Sequence, residues 1–99
     1  MARVLVHYDL PPEFAAKFRE CITGESFKYR FERETNSVYS TIVNGWPDTY
    51  DELERLIREA AKGAPQDSLI FLERPAPGAG PSNSHDIVQI AIHRTRAKP

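Results

Sequence analysis

The sequence predicts an α+β fold in the order β-α-β-β-α-β, followed by one further strand. Three observations carry this expectation. Short apolar or alternating runs recur along the chain, and two stretches with apolar spacings of three and four lie between them. A segment reading PAPGAGPSNS, residues 75–84, then sets the last strand apart.

Residues 3 to 9 place Val4, Val6 and Tyr8 on one face and Arg3, Leu5, His7 and Asp9 on the other, because strand side chains alternate. A helix from about Pro12 to Thr23 follows, with Phe14, Phe18 and Cys21/Ile22 on its buried side. Gly24 is its expected left-handed stop. Phe27, Tyr29 and Phe31 alternate with Lys28, Arg30 and Glu32, which predicts a half-buried strand. Thr35-Asn36-Ser37 makes a turn, and the β-branched run Val38 to Val43 returns.

Asn44-Gly45-Trp46-Pro47 interrupts the sheet pattern. Thr49 with Glu52 then has the spacing of a capping box, in which each side chain satisfies a free backbone N–H. Leu53, Leu56, Ile57, Ala60 and Ala61 form a helical stripe ended by Gly63 and Pro65. Ser68 to Glu73 is the fourth strand. The first six elements, residues 1–74, spell a ferredoxin-like split βαβ sandwich: one antiparallel sheet with two helices on one face. Residues 85–94 form the added strand and residues 95–99 a basic tail, the whole chain being a single domain.

That last strand is apolar on both faces, with Ile87, Val88, Ile90, Ala91 and Ile92 interrupted only by Gln89. A strand apolar on both sides is normally covered on both sides. A single layer of helices covers one. The strand is therefore expected to help build a homodimer, exchanged or packed across it; the simpler alternative is an ordinary fifth strand.

The 99 residues carry 13 Lys and Arg against 14 Asp and Glu, a net charge of −1, which is not the footprint of bulk electrostatic binding to nucleic acid. Cys21 is alone, excluding an internal disulfide and a cysteine-cluster metal site. No run reaches the ~18 apolar residues of a membrane span, and no signal-peptide pattern opens the chain, so a cytoplasmic protein without a membrane partner is expected.

Asp9 is the leading candidate for chemistry. It ends the first strand, where βα units place ligands and metals, although an Asp there ordinarily caps the next turn. A two-fold axis near this point would join Asp9 to its copy as a two-carboxylate oxygen site. Such a site suits magnesium, with manganese as substitute, and would orient phosphate oxygens and activate water. His7, His85 and His93 have no metal-site spacing. Lys28, Arg30 and Arg33 are the candidate nucleic-acid contacts. Glu32 and Glu34 stand beside them, and a solvated strand is the ordinary reading of such mixed signs.

Three strings, in order, resemble the CRISPR-associated Cas-two family and its relatives, the VapD-type ribonucleases. They are Val6-His7-Tyr8-Asp9-Leu10, Asn36-Ser37-Val38-Tyr39 and Gln66-Asp67-Ser68-Leu69-Ile70-Phe71. The resemblance spans most of residues 3 to 73. It implies a symmetric dimer crossed by the last strand, with Asp9 as the metal-associated acid at its interface. It also implies association with DNA or RNA, an integrase-type protein partner, and magnesium-dependent endonuclease activity or a subunit role in CRISPR adaptation. Two segments, Pro11-Pro12-Glu13-Phe14-Ala15-Ala16 and Arg30-Phe31-Glu32-Arg33-Glu34-Thr35, are less basic than the family's equivalents. The alternative function is a non-catalytic protein-binding adaptor or inhibitor module on the same dimeric scaffold.

Overall fold

The computed structural model describes residues 2–65, 68–75 and 85–90. Its elements are β1 (Ala2–Asp9), α1 (Pro12–Thr23), β2 (Glu32–Thr35), β3 (Val38–Val43), α2 (Tyr50–Ala60), β4 (Leu69–Pro75) and β5 (His85–Gln89). The five strands form one sheet in the order β2-β3-β1-β4-β5, every neighbouring pair antiparallel. This α+β arrangement, with two helices, is compatible with a ferredoxin-like fold. No helix among the described residues is long and apolar enough to cross a membrane.

The period of β1 decides which face of the sheet is covered. Val4, Val6 and Tyr8 are buried, while Arg3 and Asp9 are exposed and Leu5 and His7 intermediate. Phe18 and Ile22 of α1, with Leu53 and Ile57 of α2, are fully buried in the same core as Val4, Val6, Val43, Ile70 and Leu72. The helical stripes therefore face the sheet as their spacing requires, except that Cys21 is exposed and Ile22 takes the buried place. Arg3, Leu5, His7 and Asp9 lie on the opposite, helix-free face.

β5 pairs with β4 of its own chain, Leu72 opposite Val88 and Phe71 opposite Gln89. Ile90 enters the core, whereas Ile87 is 61% exposed, so the apolar character on both faces is real over the described part of the strand. Residues 91–94 of the expected strand, residues 76–84 of the expected linker and the tail lie outside the described residues, as do Gln66 and Asp67.

Three local expectations are corrected. Gly24 follows α1 with extended backbone (φ −71°, ψ 158°), not the left-handed conformation expected of it. Residues 27 to 31 are not a strand: Phe27 N–H bonds to Gly24 O and Arg30 N–H to Phe27 O, closing successive turns, and β2 begins only at Glu32. Burial still alternates, with Phe31 in the core and Phe27 and Tyr29 packed against it. Turns placing every second side chain inward imitate a strand's pattern, and apolar periodicity alone does not distinguish them.

The capping box is also absent. Thr49 already has helical backbone angles (φ −84°, ψ −5°), and its side chain makes no cap bond. Tyr50 N–H bonds to Pro47 O, and the Glu52 carboxylate instead accepts from Lys28 and Tyr29. Thr49 Oγ1 is buried without a hydrogen-bond partner. A working N-cap is worth about 0.5–2 kcal/mol. Here Thr49→Val keeps the shape and removes an unsatisfied buried hydroxyl. It is expected to be neutral or to stabilise by up to about 1 kcal/mol in urea denaturation; a loss above that would mean the hydroxyl caps the helix in solution.

Candidate functional site

β1 is central in the sheet and delivers Asp9 to its end, opposite Leu69 of β4. The carboxylate is exposed on the helix-free face. Leu69 is its neighbour on that face, which further along carries Leu5, Val38 and Phe71, all half-buried, and the exposed Ile42 and Ile87. The His7 Nε2 and Glu73 Oε1 atoms lie 3.0 Å apart on the same face. Among the described residues no three His, Cys, Asp or Glu side chains gather into a metal-holding group. One chain thus offers Asp9 as a single carboxylate. Magnesium takes one or two carboxylates and fills its octahedron with water and phosphate oxygens. The donor chemistry fits magnesium best when doubled by a second chain.

Lys28 and Arg30 flank an open groove of about 480 Å³, with Tyr29, Thr41, Ile42, Asn44 and Thr49 completing its lining. Lys28 is committed to Glu52 at 2.8 Å, and Tyr29 donates its hydroxyl to the same carboxylate at 2.7 Å. The Lys28 and Tyr29 bonds hold the Glu52 carboxyl below the ordinary glutamate range. Glu34 is held low in the same way, by Ser40 and Arg3. These two acids, part of the mixed-sign segment and its surroundings, are therefore already engaged by cations and hydroxyls of this chain.

Arg33 lies elsewhere. It lines a separate recess of about 350 Å³ with Arg19, Asn36 and Tyr39. The three candidate contacts are thus divided between two recesses, and Asp9 lines neither. Tyr8 organises the second. Its ring meets Phe18 edge-on at 5.4 Å and stacks near Tyr39 at 6.1 Å. Its hydroxyl donates to Asn36 O at 3.2 Å and accepts from Arg19 at 3.5 Å. Burial pushes the Tyr8 phenol above its ordinary value, and the Arg19 bond pulls against that.

Sequence reasoning passed over Arg19. The available signal was its place beside the buried stripe of α1, four residues after Ala15 and three before Ile22. Residues so placed reach over the edge of the packed face rather than away from it. Its meeting with Arg33 depends on how α1 docks against the β2–β3 hairpin. Comparison with protein-family models, with curated proteins and with solved structures found no match.

Proposed function

We propose that this chain is a Cas-two-like, nucleic-acid-associated homodimer in which paired Asp9 carboxylates hold magnesium, or manganese in its place, for phosphodiester cleavage. One observation carries the reading: an exposed carboxylate ends the central strand on a helix-free sheet face bordered by apolar side chains. Covering Leu5, Val38, Phe71, Leu69, Ile42 and Ile87 with the same face of a second copy removes apolar area from water, the usual driving force of homodimers. Exchange of the last strand would repeat the β4–β5 register between copies. Lys28, Arg30 and Arg33 are the phosphate contacts, Lys28 by trading Glu52 for a phosphate. The ion would supply a polarised phosphate and an activated water.

A second reading has its own observation. The Lys28–Glu52 pair and the acids at positions 32 and 34 leave the basic segment largely self-neutralised. That suits a protein-binding adaptor or inhibitor module without catalysis.

Cleavage of labelled single- and double-stranded DNA and RNA, with magnesium or manganese, separates them when wild type is compared with Asp9→Ala. The Asp9 side chain is exposed at the end of its strand, so the variant is expected to keep its fold and dimeric mass. Its metal-dependent cutting is expected to fall at least a hundredfold. Equal cutting by both proteins would remove Asp9 from the chemistry. No cutting, with no salt-dependent strand binding, would favour the adaptor, because phosphate contacts release counterions and protein contacts do not.

A further inference from the structure

We infer that Arg19 and Arg33 form a phosphate-binding site at the edge of the fold, separate from the Lys28–Arg30 groove and from Asp9. Both guanidinium groups border the 350 Å³ recess whose remaining lining is Asn36 and Tyr39; among the described residues no carboxylate lines it. The size falls within the ~300–1,000 Å³ of small-ligand pockets.

The hydrogen bonds of the two arginines sharpen the assignment. Arg19 donates to the Tyr8 hydroxyl, and Arg33 donates to Asn36 Oδ1. Both acceptors are neutral, so they orient the side chains without cancelling either charge. Each guanidinium keeps further N–H donors, and the Asn36 amide nitrogen adds two more. By contrast, Arg3, Lys28, Arg55 and Arg58 each bond a carboxylate. Two like charges sharing one recess repel, and a dianionic oxyanion relieves that repulsion while matching the planar fork of arginine.

The alternation of β2 explains why the neighbouring acids do not interfere. Arg33 turns to the helix side with Arg19, whereas Glu34 reaches the other face and bonds Arg3 and Ser40. The framework is also fixed. Tyr8 anchors the recess through its own backbone N–H to Ser37 O, through its hydroxyl to Asn36 O, and through Phe18. On the nucleic-acid reading given above, the phosphate belongs to a strand; a free phosphate ester offers the same chemistry.

Two measurements test the site. In the first, inorganic phosphate is titrated into the protein while the arginine side-chain Nε–Hε signals are followed by NMR. The Arg19 and Arg33 signals are expected to move together and saturate, with Arg55 unmoved; no movement of the pair overturns the site. In the second, binding of a labelled single strand is measured against salt for wild type, Arg19→Gln, Arg33→Gln, the double variant and Arg55→Gln. Thermal melts confirm that each variant is folded.

Each single variant is expected to bind about tenfold more weakly and to lose about 0.7 from the log–log salt slope, one phosphate's share on a single strand. The double variant should lose no more slope than a single one, because both arginines hold one phosphate. Arg55→Gln should change neither. Strand binding with an unchanged slope in both single variants overturns the inference and leaves the nucleic-acid reading standing. Movement of both signals by phosphate, with no strand binding by wild type, sustains the site with a free phosphate ester as its ligand and overturns the strand.

Discussion

Phe18→Ala is expected to remove about 3–5 kcal/mol of stability, the range for truncating a fully buried phenylalanine. Phe18 has no exposed surface, and its ring meets Tyr8 edge-on across the boundary between α1 and β1. The loss combines the transfer free energy of the ring with the cavity it leaves, because the strand behind it is held on both sides by β3 and β4. A domain of this size has roughly 5–15 kcal/mol in total, so the variant approaches the threshold of folding. Thermal unfolding should fall by roughly 12–40 °C, at about 4–8 °C per kcal/mol. Phe18→Leu refills much of the volume and should recover over half of the loss. A Phe18→Ala change under about 1 kcal/mol, far below the buried-ring range, would mean that α1 is not docked on the sheet in solution.

Gly45→Val is expected to cost about 2–3 kcal/mol through backbone and contact together, since strain of this kind alone is of order 1–3 kcal/mol. Gly45 has φ +78°, a region that β-branched residues enter only with strain. An added Cβ would also stand 3.1 Å from Thr49 Cγ2, and Thr49 N–H bonds back to Gly45 O. The turn cannot open without disturbing the entry to α2. Gly63 provides the comparison: its φ is +90°, yet among the described residues nothing lies within 4 Å of where a Cβ would stand. Gly63→Val should therefore show the backbone share alone, and the difference between the two urea midpoints reads the contact. Equal losses would assign the whole effect at Gly45 to strain.

The sequence made most of the architecture legible because its two periods are clean. Alternation in β1 separated Val4, Val6 and Tyr8 from Arg3 and Asp9, and the exposure of Asp9 followed from it. The stripe Leu53, Leu56, Ile57, Ala60, Ala61 placed α2 correctly. Failure came where a pattern had two physical sources. Phe27, Tyr29 and Phe31 alternate through turns, and Thr49 with Glu52 has cap spacing while the glutamate has a stronger partner in Lys28. The Arg19–Arg33 recess was illegible for another reason. No local pattern joins a helix residue to a strand residue fourteen positions later; only the docking of α1 beside the hairpin does.

The β2 margin of the sheet has a consequence for how this protein can associate. Its strand is four residues long, exposed throughout, and carries Glu32, Arg33 and Glu34, with an irregular register between Arg33 and Thr35. An incoming strand would find few backbone groups in line and would have to strip water from three charges. Growth of the sheet by strand addition is therefore blocked on that side, so copies that meet there cannot propagate into a ribbon. The fold is polarised as an assembly unit, closed to extension at its charged margin.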